Sequence, residues 1–90
     1  MIYVDNANIR KGKEVWCHLM SDQDDRDQEI HQFAEKIELR KWWFHRDHYD
    51  VCSSMRRKAV AAGAVETTME HLVQIRQQKR EAEQQNNAEK

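Results

Sequence analysis

Hydrophobic and polar positions alternate with a strand-like period at the start of the chain. Ile2-Tyr3-Val4 is β-branched and aromatic and is closed by Asp5-Asn6, which predicts a short first strand with a carboxylate at its end. Residues 7–13 form a polar connection with Gly12 for a turn. It is too short for a helical crossover, so the first strand should run antiparallel to the next if the two are neighbours. Residues 15–20 are apolar on both faces except for His18, the pattern of a central strand. Ser21-Asp22-Gln23-Asp24-Asp25 is a cluster of helix-start residues, and Ile30, Phe33, Ala34 and Ile37 then recur at i, i+3, i+4 and i+7. That helix should end near residues 39–41. In His48-Tyr49-Asp50-Val51 the alternation sets His48 and Asp50 on one face of a third strand and Tyr49 and Val51 on the other.

Ser53 and Ser54 are expected as N-caps of a second helix in which Met55, Ala59 and Ala62 share a face and Gly63 ends the run. Residues 64–67 read as a fourth strand. Thr67-Thr68-Met69-Glu70 offers a capping box for a third helix carrying Leu72, Val73 and Ile75. After Arg76 the apolar residues stop apart from alanines, so residues 77–90 are expected as a polar tail, helical or frayed, outside a domain of residues 1–76. The strand–helix rhythm after residue 14 predicts an α/β fold. Its sheet should be small, mixed, mostly parallel and four-stranded, with two to three packed helices and ligands at the carboxyl ends of the strands.

Composition narrows the class. Ninety residues suffice for one modest core, and 34% charged residues with a mean hydropathy of −1.06 describe a heavily charged surface. No apolar run is long enough to span a bilayer and no secretory signal pattern opens the chain. With two cysteines at no framework spacing, these features predict a reduced, cytoplasmic protein. Fifteen basic against 16 acidic residues give no global attraction to nucleic acid or to an anionic membrane, so any anion site must be a local patch.

The chemistry concentrates in residues 42–54, which hold two of three tryptophans, two of five histidines and one of two cysteines. Imidazole, carboxylate and thiol groups at His18, His48 and Asp50, with His31, Asp22 or Cys52, are the donors that transition metals take, though their spacing is not diagnostic. The competing structural reading pairs His18 and His48 with Asp22 or Asp50 and leaves Cys17 and Cys52 as small core residues. A histidine held by a carboxylate also suits proton transfer, as His48 with Asp50 would. Ser53, Ser54, Arg56 and Arg57 at a helix start could hold a phosphate, or the arginines could form internal ion pairs. Trp42, Trp43 and Phe44 could stack on bases, but at strand spacing they fit core and hairpin packing better.

Five polar stretches, His18-Leu19-Met20-Ser21-Asp22, Glu29-Ile30-His31-Gln32-Phe33-Ala34, His48-Tyr49-Asp50-Val51, Arg57-Lys58-Ala59-Val60 and Gly63-Ala64-Val65, resemble a small bacterial and bacteriophage family catalogued as domain of unknown function 4031. The resemblance covers roughly the first three quarters of the chain and implies a phage or bacterial accessory protein. It carries over motif positions, His18, Ser21, Asp22, His31, His48, Tyr49, Asp50 and Arg57, and no reaction. Glu38 departs from it, standing where a helix-ending glycine is expected.

Together these features predict a polar site. His18, His48 and Asp50 would carry its chemistry; Asp22, His31, Tyr49, Ser53, Arg56 and Arg57 would contact a small anionic or nucleotide-like ligand that is bound and, on the further reading, hydrolysed with a divalent metal as cofactor. The alternative is a non-catalytic accessory protein that binds and modulates a host protein through the aromatic segment or the tail. If both histidines face a pocket, truncating either to alanine should shift stability by less than about 1 kcal/mol.

Overall fold

The computed structural model describes residues 1–23 and 28–88, with side chains through residue 82. Asp24 and Asp25, expected at the start of the first helix, lie outside the described residues. Among those described, the strands are β1 (Ile2–Val4), β2 (Ile9–Lys11), β3 (Glu14–Ser21), β4 (Phe44–His45), β5 (His48–Cys52) and β6 (Val65–Glu66). The helices are α1 (Glu29–Lys36), α2 (Ser53–Ala61) and α3 (Met69–Ala88).

The α/β class holds, but the sheet corrects the expected four-stranded, mostly parallel one. It has six strands in the order β4-β5-β3-β1-β6, with β2 also on β3, and only β1–β6 is parallel. Two hairpins account for the difference. The polar connection after β1 forms β2, which folds back on β3 through Gly12, whose φ of 67° suits a primed two-residue turn. After α1 the chain passes through a 3-10 turn (Lys41–Trp43) into β4, and the β4–β5 hairpin reverses it, so β5 meets β3 antiparallel. A strand–helix–strand rhythm implies parallel neighbours only when nothing between them reverses the chain. The expected antiparallel pairing of β1 with the long central strand is present, Val4 opposite Leu19.

Helix ends also differ in detail. Ser21 closes β3, and its hydroxyl accepts the Gln23 N–H at 2.9 Å in a local turn, leaving α1 to start at Glu29 after a left-handed Gln28. At the far end Glu38 takes φ 67°, with Glu38 N–H bonded to Glu35 O and Leu39 N–H to Ala34 O. This is a Schellman ending with glutamate where glycine avoids a conformational cost of about 1 kcal/mol. Ser53 and Ser54 are not caps: Cys52 occupies the N-cap position of α2 without a side-chain cap bond. Gly63 ends α2 as expected, at φ 111°. Thr68 caps α3 by accepting the His71 N–H at 3.2 Å.

Opposed residues on paired strands share a face, which gives the sheet two distinct sides. Val4, Cys17, Leu19, Tyr49 and Val51 form one side and are buried with Ile30 and Ala34 of α1 and Ala59 of α2. Tyr3, Trp16, His18, Met20, His48 and Asp50 form the other, where α3 covers only part: Leu72 and Ile75 pack on Met20 and Tyr3. Val73, expected on the buried stripe, is exposed. So are Trp42 and Trp43, at 74% and 40%, because the 3-10 turn lifts them off the strand path that would have packed them; Phe44 alone reaches the core.

Candidate functional site

His18 stands mid-way along β3 and is paired with Asp50 of β5, two residues beyond His48. The period of two along β5 and the pairing across to β3 set all three side chains on the face that α3 leaves partly open. Donor atoms of His18, His48 and Asp50 lie within 4.8 Å of one another. The His48 Nε2–Asp50 Oδ1 separation is 3.2 Å and the His18 Nε2–Asp50 Oδ1 separation 3.9 Å. The two rings meet edge to face at 5.0 Å.

Both rings are held from behind. His18 Nδ1–H donates to Asp5 Oδ2 at 2.8 Å, and His48 Nδ1–H donates to Asp47 Oδ1 at 2.8 Å. A carboxylate only accepts, so each Nδ1 carries a proton and Nε2 is the ring atom turned toward Asp50. Asp5 is fully buried, and its other oxygen accepts the His18 backbone N–H at 2.8 Å and that of Ala7 at 3.4 Å. Asp47 fills the second position of the β4–β5 turn and is clasped by Arg76 of α3 through Nε and Nη2.

Burial opposes ionisation of Asp5, but the His18 side-chain and backbone hydrogen bonds and the imidazole charge draw its pKa below the usual carboxylate value. The reciprocal bond to Asp5 raises the pKa of His18 against its burial. Asp47 falls to about 2, burial being outweighed by the bonds from His48 and Arg76 and their charges. A depressed carboxylate stabilises the fold above its unfolded pKa, near 3.9, and that contribution is lost as pH falls through the folded value. Urea unfolding between about pH 4 and pH 2 should therefore show Asp47 giving up on the order of 1–2 kcal/mol, with Asp47→Asn flattening this part of the profile.

The other expected site residues lie elsewhere. Asp22 pairs with the Met1 ammonium at 2.7 Å. His31 and Tyr49 bond to each other at 2.9 Å on the opposite face, where Phe44 meets both rings. Ser53 and Arg56 border a cavity of about 410 Å³ with Asn6, Asn8, Val15, Trp16 and Cys17. Arg56 is already engaged, by Asp5 O at 3.0 Å and Glu66 at 2.9 Å, and Arg57 is exposed. Cys17 is a buried free thiol, pushed up to about 11 by that burial. Cys52 is drawn below the usual thiol value: burial opposes this, and the Ser54 hydroxyl and the Ser54 and Met55 N–H groups outweigh it.

Sequence reasoning missed Asp5, Asp47 and Arg76 as members of the site. Asp5 had a signal, a carboxylate at a strand end, and Asp47 had another, adjacency to His48. Arg76 had none, standing where the apolar pattern gives out.

A small antiparallel-dominated α/β domain with a two-histidine, one-aspartate cluster on the half-open face of its sheet is thus the class that fold and site define. The chain belongs to the family of proteins of unknown function DUF4031, whose model matches residues 2–79. No match was found among curated proteins or among solved structures.

Proposed function

We propose that the protein is a small metal-dependent hydrolase of phosphate-bearing substrates, with His18 Nε2, His48 Nε2 and an Asp50 oxygen as its metal ligands. The observation that carries this reading is the convergence of those donors while a carboxylate holds each Nδ1. Metal-ligating histidines characteristically donate their second N–H to a carboxylate, which fixes the ring and raises its basicity. Bonds of ~2.0–2.2 Å place neighbouring ligands of a tetrahedral ion roughly 3.3–3.6 Å apart, so the 3.2 and 3.9 Å separations need small adjustment and the two imidazole nitrogens, within 4.8 Å of each other, close by up to about 1.3 Å on binding. Two imidazoles and a carboxylate suit Zn²⁺ and its borderline neighbours.

A divalent ion there would polarise a phosphoryl oxygen and acidify a water at an open position. Asp5 and Asp47 keep the rings oriented, and Arg76 keeps Asp47 ionised. Asp50, whose side chain is 54% exposed, leaves the outward side open to water and substrate. Bis-p-nitrophenyl phosphate and p-nitrophenyl phosphate, offered to the protein loaded with Zn²⁺ or Mn²⁺, test the hydrolytic part. Metal-dependent release of nitrophenolate that falls at least a hundredfold in Asp50→Asn is the expected result; no release from protein with metal bound would leave a binding role only.

Exposure of Trp42 favours the second reading, a non-catalytic protein that docks on a host protein. The cluster favours the first, because a mere docking protein has no need of two carboxylate-held imidazoles facing a third donor.

A further inference from the structure

We infer that the 3-10 turn and β4 form a stacking platform for single-stranded nucleic acid, which makes an oligonucleotide the phosphate substrate; this inference rests on the hydrolytic reading above. Trp42 is the most exposed large hydrophobic side chain described, at 74%, and Trp43 beside it is 40% exposed. A monomer gains nothing by holding two indoles in water. Arg40 lies over the Trp42 ring at 5.5 Å, and Lys41, His45 and Arg46 are also exposed. From Arg40 to Arg46 the chain has three permanent cations and no acid, so the near-neutral net charge conceals a basic edge.

Indole faces flanked by cations are what single strands use: bases stack on the aromatics, and phosphates lie against Lys and Arg. The platform also adjoins the cluster. His45 pairs directly with His48 across the hairpin, and their rings are 5.9 Å apart. Trp42 is three residues from His45, so its Cα lies within about 11 Å of that of His45. A strand stacked on Trp42 can therefore deliver a neighbouring phosphodiester to Asp50 and the histidines. An anionic membrane would meet the same charges, but the segment has only two exposed apolar side chains to insert and no extended amphipathic face.

Fluorescence anisotropy with fluorescein-labelled dT8 and U8 in EDTA tests the platform apart from the metal. Wild-type protein should bind at least one, more weakly as salt rises. Trp42→Ala should lose about tenfold in affinity, and Arg40→Ala with Lys41→Ala should flatten the salt dependence. EDTA keeps metal out of every sample, so a failed metal centre leaves this binding intact whereas a failed platform abolishes it, and the two give different results. No binding of either oligonucleotide at roughly 100 times a micromolar Kd, equal binding by Trp42→Ala, or stronger binding to phosphatidylserine vesicles would overturn the inference.

Discussion

Replacing His18 with alanine should cost about 3 kcal/mol of stability, lowering the melting temperature by roughly 10–20 °C. The reason is Asp5. Its carboxylate is fully buried, and without His18 Nδ1–H its Oδ2 has no remaining side-chain donor among the described residues. Breaking one side of a buried pair strands the other charge, which costs more than the pair itself contributes. Asp5→Asn in the same background should restore part of the loss, and a double-mutant cycle should return a coupling on the order of 1–3 kcal/mol. Equal, small losses for Asp5→Asn and His18→Ala, with no coupling, would mean that the carboxylate finds water. The expected loss is therefore larger for His18 than the sequence alone suggests, while a small loss remains the expected result for His48. Removing His48 leaves Asp47 still clasped by Arg76, at a cost of about 1 kcal/mol.

That difference makes His48→Ala and Asp50→Asn the informative variants for chemistry. Both should fold with near-native cooperativity and lose zinc affinity by at least a hundredfold, because each deletes one of three donors. Asp47→Asn removes no donor. It frees the His48 ring and should weaken metal binding by about 10- to 100-fold, the usual effect of losing a carboxylate behind a ligating imidazole. Calorimetric titration of the stripped proteins checks all three. An Asp47→Asn variant that binds as tightly as wild type would show that the carboxylate only buttresses the hairpin.

Much of this site was legible in the chain, for a physical reason. Alternation with a period of two is fixed by the pleat, so His48 and Asp50 had to share a face, and His18 was the one polar exception in an apolar central strand. Strand direction was less legible. It turns on the β4–β5 hairpin, whose turn uses Arg46 at φ 60° and contains no glycine to announce it. The tryptophans misled because exposure depends on a 3-10 turn that no periodicity in three residues can reveal. Asp5 meets His18 from 13 residues away and Arg76 meets Asp47 from 29, and such contacts come only from the closed fold. Arg76 also shows why a boundary at residue 76 was hard to place. The polar helix beyond the apolar stripe still touches the body at Lys79, which donates to Ser21 O at 3.2 Å, and the family match extends to that residue.

The most direct measurement is the metal content and Zn²⁺ titration of the purified wild-type chain, first stripped with chelator and then followed by calorimetry, with Co²⁺ absorption as a second probe. One ion per chain, bound with micromolar or tighter affinity and lost in both His48→Ala and Asp50→Asn, is the expected result. Absence of stoichiometric binding by folded wild-type protein, or undiminished binding by both variants, would contradict the metal centre.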